Sequence, residues 1–125
     1  MKAVLVDSDI LIEVFRARNQ TILARWSGVS QNDTMPLYSP VSEAELWHGV
    51  LPHEQGRLRD LFAAMICIPI DAGIGRLAGD YLRRFAKSHG LDLGDALIAA
   101  TVSHHNVELW TRNRRHYPMK DVAFY

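Results

Sequence analysis

One cysteine in 125 residues excludes an internal disulfide. Cys67 lies in the apolar run "MICIPI", where it reads as a buried structural thiol, and a reducing compartment fits. Neither sign of charge is in excess. Fourteen Lys and Arg face fourteen Asp and Glu, so net charge alone announces neither a nucleic acid nor a membrane surface. Long apolar runs are missing too: "AVLV" is broken by Asp7, too early for the core of a secretory signal, and no run approaches the roughly 20 residues that span a bilayer. A cytoplasmic protein without membrane contact is the expectation. No Cys/His spacing offers a zinc site, and there is no internal repeat or low-complexity tract.

What is present suits one globular domain over residues 1–125, with 48% apolar and 22% charged residues. "AVLV" reads as a strand, followed by a helix through "DILIEVFRAR" that Asp7 or Ser8 can cap. "SGVSQNDTMP" is a polar connection, and "LYSPV" a short strand. Ser42 opens a helix over "SEAELWHGVL", Pro52 begins another, and "ICIPI" is a strand. Asp71 caps a long helix whose Ile74, Leu77, Ala78, Tyr81, Leu82 and Phe85 recur at helical spacing up to Gly90. "GDALIAATVSHH" is a helix of small apolar residues, buried on most sides, and "VELWT" and "DVAFY" are the last strands. Strands alternating with helices imply a mainly parallel sheet covered on both faces.

Acidic residues interrupt this apolar plan at telling places. In parallel sheets the functional crevice lies beyond the carboxyl ends of the strands, where Asp7 is expected, although it also suits an N-cap. Asp9, two residues on, points about 200° around a helix axis from Asp7 and reads as a first-turn acid. Glu45 has the capping-box spacing to Ser42, yet its place in the first turn of a helix after a core strand lets it project over the sheet edge. Glu43 points elsewhere and reads as solvated. Asp95 stands in the most apolar helix, where a carboxylate is costly unless compensated; Asp92 as cap with Asp95 in the first turn is the alternative. In "LWTRNRRHYP", Thr111 ends a strand and Asn113 follows among Arg112, Arg114, Arg115, His116 and Tyr117. That segment is either a solvated basic turn or an oxygen ligand with arginines ready for phosphate.

Carboxylates forced together repel and raise one another's pKa unless a cation neutralises them. An all-oxygen, acid-rich set suits Mg2+ or Mn2+, and such a cation polarises a phosphoryl oxygen and activates water. His104 and His105 are adjacent and face different ways, which suits surface roles.

"VLVDSDILIE", "SPVSEAELWHG", "GDALIAAT" and "LWTRNRRHY" occur in an order and spacing that resemble PIN-domain proteins, specifically the VapC-type toxins of bacterial toxin–antitoxin pairs. The resemblance spans nearly the whole chain. It implies an α/β fold, the three-layer α/β/α PIN architecture with a mainly parallel central sheet. It implies a Mg2+- or Mn2+-dependent endoribonuclease acting on transfer RNA or other structured RNA. It also implies a homodimer and a small VapB-type antitoxin that blocks the site. By position, Asp7, Glu45 and Asp95 are the metal carboxylates and catalytic acids, with Ser42 and Thr111 as supporting hydroxyls. The family's fourth acid falls two or five residues after the threonine, at Asn113 or His116 here, so the site lacks a charge that would help hold a second ion. Asn113 is the catalytic candidate at that place. Asp9 stands where the family has an uncharged residue.

Two rival readings accompany the nuclease. "VLVDSDILI" imitates the strand and Asp-x-Asp of haloacid-dehalogenase-like phosphohydrolases, but Ala99 and Ala100 stand where that class needs a further acid. A non-catalytic module binding RNA or a partner is the other. In the nuclease reading Arg112, Arg114 and Arg115 meet phosphates, and Trp47 or Tyr117 stacks on an unpaired base.

Overall fold

The computed structural model describes the backbone of all 125 residues and every side chain except that of Ser30. Five strands, β1 (Lys2–Val6), β2 (Thr34–Tyr38), β3 (Ile66–Cys67), β4 (Glu108–Trp110) and β5 (Ala123–Phe124), form one sheet in the order β3-β2-β1-β4-β5. Every pairing is parallel. The helices are α1 (Ser8–Arg16), α2 (Gln20–Gln31), α3 (Pro40–Gly49), α4 (Gln55–Ala63), α5 (Ala72–His89) and α6 (Leu93–His105).

Side-chain alternation along β1 separates the layers. Leu5 pairs with Leu37 on one side and Leu109 on the other, and this leucine row packs beneath α5 and α6 with Ile74, Ala78 and Tyr81. Val4 and Val6 face the opposite way, into a core of Ile10, Leu11, Phe15, Leu46, Leu58, Phe62 and Trp110 from α1, α3, α4 and β4. The result is the expected three-layer α/β/α arrangement with a parallel sheet buried on both faces.

Caps explain the helix boundaries. Asn19 and Asp71 accept from the backbone N–H of Ile22 and Ile74, and Asp92 accepts from that of Asp95. Gly90 closes α5 in the left-handed region at φ 64°, as glycine there readily does. In α6, Ala96, Ala99, Ala100 and Val102 are fully buried, and its one buried hydroxyl, on Thr101, donates to the Leu97 carbonyl at 2.7 Å.

Four expectations need correction. "SGVSQ" is not a connection but the end of α2, whose Ile22 and Val29 are buried, so one apolar face overrides a polar composition. Ser42 does not open α3. Ser39 caps it and Pro40 takes the first turn, where its missing N–H is harmless, leaving Ser42 buried inside the helix. The strand in "ICIPI" shrinks to two exposed residues, Ile66 and Cys67, on the sheet edge before Pro69. Cys67 is accordingly an exposed thiol rather than a buried one.

Ala99 is fully buried in the layer where α6 meets α5 and the sheet. Ala99→Leu is expected to overpack that layer and cost about 1–3 kcal/mol. Thermal unfolding checks this: the melting temperature falls by several degrees, and an unchanged value would refute close packing of α6.

Candidate functional site

The sheet order places a topological switch at β1. The chain steps from β1 to β2 on one side, and later from β3 across to β4 on the other, so the crevice opens beyond the carboxyl ends of β1 and β4. Asp7 follows β1 and Thr111 follows β4. The Asp7 N–H donates to the Trp110 carbonyl at 2.9 Å, which extends the ladder to the rim and ties the two strand ends together.

Asp7 serves as both helix cap and site carboxylate. Its Oδ1 accepts from the Ser8 N–H at 2.8 Å, while Oδ2 accepts from the Thr111 hydroxyl at 2.9 Å and the Tyr117 hydroxyl at 2.6 Å. The Thr111 hydroxyl also lies 3.2 Å from Asp9 Oδ2, which takes the Arg112 backbone N–H at 3.0 Å. Asp9 was expected to point away. It does not, because Asp7 precedes the helix with extended backbone (φ −71°, ψ 158°), and the helical 200° offset does not apply between them.

Tyr117, 3% exposed, reaches the cluster from the segment after the 3-10 turn Arg114–His116. It is no stacking platform. Burial, with Asp7 beside it, pushes its hydroxyl far above the usual range, so it stays protonated and donates to Asp7, lying also 3.4 Å from Asp95 Oδ1.

Asp95 occupies the first turn of α6, capped by Asp92, as the alternative reading of the sequence had it. Its Oδ2 stands 3.4 Å from His116 Nδ1, and His116 Nε2 lies 3.1 Å from the Asn113 amide nitrogen. With that amide donating to Nε2, the proton of the neutral ring sits on Nδ1, facing Asp95. The exposed Asn113 side chain thus reaches Asp95 through His116, while the Asn113 backbone N–H donates to the Thr111 hydroxyl at 3.2 Å.

Glu45 stands midway along α3 rather than in its first turn, and no capping box with Ser42 forms. It is exposed and accepts from the Ser8 hydroxyl at 3.0 Å; Ser8 in turn lies 2.8 Å from the Ser42 hydroxyl. Ser8, which sequence reasoning saw only as a possible cap, therefore links Glu45 to Asp7. Glu43 is not simply solvated: it accepts from the Tyr38 hydroxyl at 3.1 Å and from the Trp47 indole N–H at 2.6 Å, and Arg59 lies over the Trp47 ring. Of the arginines, Arg112 lies 3.4 Å from Glu13, and Arg114 lies over the Phe124 ring, while Arg115 is exposed.

The cluster is electrostatically unbalanced. Among the described residues no lysine or arginine pairs with Asp7, Asp9, Asp95 or Glu45. Burial and then the Asp7 charge push Asp9 up to about 6, and burial, Asp92 and Asp7 push Asp95 to about 6. Asp9 Oδ1 is buried without any hydrogen-bond donor. An acid-rich, all-oxygen set with an unpartnered buried oxygen is chemically fitted to a hard divalent cation. As placed, among the described residues, no three acidic, imidazole or thiol groups stand close enough to enclose an ion by themselves.

The PIN domain family model matches residues 4–125. The chain belongs to the PIN domain family. This PIN domain is 39% identical over 118 residues to Ribonuclease VapC10 of Mycobacterium tuberculosis H37Rv, covering 93% of this chain and 86% of that protein. It is 30% identical over 116 residues to Ribonuclease VapC19 of the same organism, covering 92% of each. Among solved structures, VapBC2 from Rickettsia felis, bound to a DNA fragment from its promoter, superposes with a TM-score of 0.82 at 18% identity, over 98% of this chain and 97% of that one. The phosphohydrolase reading lapses with this assignment.

The raised carboxylates carry a definite pH signature. A group whose folded pKa of about 6 exceeds its ordinary 3.8 binds more protons in the folded state between those values, so it weakens stability as pH rises through that window. Asp95→Asn is therefore expected to raise the melting temperature in chelator at neutral pH. The advantage should shrink as the pH falls below about 6. Calorimetry across that range checks it; an equal loss of stability at every pH would contradict it.

Proposed function

We propose that the chain is an endoribonuclease, the toxin half of a VapBC-type toxin–antitoxin pair, hydrolysing RNA phosphodiester bonds with a divalent cation, Mg2+ or Mn2+. The observation that carries this reading is the meeting of Asp7, Asp9 and Asp95 on two shared hydroxyls, Thr111 and Tyr117, at the sheet's switch point. It is supported by 39% identity to a ribonuclease across 93% of the chain.

Asp7, Asp95 and Glu45 would hold the ion, with Asp9 adjoining. When bound, the cation supplies charge neutralisation and Lewis acidity toward the phosphodiester. The chain's own groups do the positioning. Thr111 and Tyr117 each donate to Asp7 Oδ2, locking one carboxylate oxygen and leaving its other oxygen to the Ser8 N–H. Ser8 and Ser42 hold Glu45 toward the cluster. His116, steadied by Asn113, places a proton beside Asp95, so Asn113 acts as a positioning residue in place of a fourth acid. Transfer RNA or another structured RNA is the proposed substrate.

A small VapB-type antitoxin is the proposed partner, and two copies of the chain the proposed toxin unit, acting in the cytoplasm. Among the described residues no helix is long and apolar enough to cross a membrane.

Incubation of the purified chain with total transfer RNA tests the reaction. Cleavage is expected with Mg2+ and not with chelator. Asp7→Asn and Asp95→Asn are each expected to lower the rate roughly 100-fold or more, since a catalytic cation is worth several kcal/mol at the transition state. Undiminished cleavage by folded Asp95→Asn, or in chelator, would remove this mechanism.

A further inference from the structure

Beside the carboxylates lies a second concavity that the reaction above does not use. A cavity of about 300 Å3 has Asn19, Ile22, Arg25, Trp110, Thr111 and Arg112 among its lining residues. It adjoins the cluster directly, because Thr111, in its wall, is the residue whose hydroxyl reaches Asp7 and Asp9. Ile10, Ile22 and Trp110 are buried behind it, and its accessible groups include the Arg25 guanidinium, the Asn19 amide and the Thr111 hydroxyl. The Asn19 side-chain oxygen is occupied by the Ile22 N–H at 3.0 Å, which leaves the amide NH2 as its free function.

Arg25 gives the cavity its character. Its guanidinium lies 3.9 Å from the centre of the Tyr125 ring and 5.4 Å from that of Trp110, so two aromatic faces hold an exposed cation in place. Among the described residues it has no carboxylate partner, unlike Arg16, Arg18, Arg57, Arg83, Arg84 and Arg112. A polyanion brought to an acidic cluster needs positive charge just outside it. A guanidinium held by two rings and without a carboxylate partner matches a phosphate of the RNA strand.

We infer that this cavity is a phosphate subsite for the RNA strand, in which the Arg25 guanidinium and the Asn19 amide bind the phosphate next to the scissile one. The subsite rests on the ribonuclease reading and adds to it a contact outside the carboxylate cluster that sets where the strand lies.

Fluorescence anisotropy with a labelled single-stranded RNA oligonucleotide of mixed sequence, over a salt series, tests it. The full chain carries Asp95→Asn so that the probe stays whole. Arg25→Ala is expected to weaken binding roughly 5–10-fold and to make the slope of log affinity against log salt shallower by about 0.7, one phosphate contact on a single strand. Arg25→Lys should keep the slope and lose less affinity. Arg83→Ala, on the crossover helix α5 and paired with Asp80, should change neither. With Asp95 restored, Arg25→Ala should redistribute the cleavage positions along the same probe. An affinity and slope for Arg25→Ala equal to the parent's would overturn the subsite, as would a slope lost equally in Arg25→Lys, which would mark Arg25 as structural. Failure of the ribonuclease reading looks different: RNA stays whole with Asp95 present, while the Arg25 effect on binding persists.

Discussion

Three carboxylates meeting at one end of a sheet repel one another, and the burial that shapes the crevice also strips them of water. Among the described residues neutral hydroxyls, rather than lysine or arginine side chains, orient these acids. Thr111 and Tyr117 converge on Asp7 Oδ2, and each also reaches a second acid, Asp9 or Asp95. A hydrogen bond to a charged acceptor contributes roughly 1.5–3 kcal/mol, enough to set the orientation of a side chain but not to cancel the repulsion. The remaining imbalance appears in Asp9 and Asp95, both pushed up to about 6.

Backbone architecture makes this placement inexpensive. Asp7 and Asp92 would be good residues at their positions for purely local reasons, since each caps a helix. The site reuses those caps. Because Asp7 ends β1 and caps α1, its carboxylate is committed to the carboxyl edge of the sheet before any ligand is considered. Thr111 takes the equivalent position after β4, and the Asp7-to-Trp110 backbone bond fixes the spacing between the two strand ends. Asp95 arrives from the opposite layer on α6, whose closely packed alanines allow little freedom in how its first turn meets the sheet.

The layer order and the α5 and α6 helices could be read from the chain because periodic apolar residues and caps agreed there. Asp71 and Gly90 mark the two ends of α5 in sequence and in space. Elsewhere tertiary context prevailed over local pattern. Polar "SGVSQ" is helical because Ile22 and Val29 are spaced to bury one face, and Ser42 lost its cap role to Ser39 because Pro40 suits the first helical turn. In the site, the acids were visible as charges out of place in apolar runs. Their hydroxyl partners were not. Tyr117 lies 110 positions from Asp7 and sits in a basic segment without periodicity, so no local signal connects the two. Asp9 lies beside Asp7 for a geometric reason: Asp7 precedes the helix with extended backbone, so the helical offset does not separate the two side chains.

The balance of 14 basic and 14 acidic residues has its own consequence for how RNA would approach. A protein without net charge exerts little long-range field, and at ~0.1 M salt exposed charges are screened beyond about 10 Å. Attraction must then come from local asymmetry at the crevice. Of the arginines near it, Arg112 lies beside Glu13, while Arg25, Arg114 and Arg115 are exposed and have no carboxylate partner among the described residues, Arg25 and Arg114 lying over aromatic rings. Affinity would thus rest on a few contacts made only after docking.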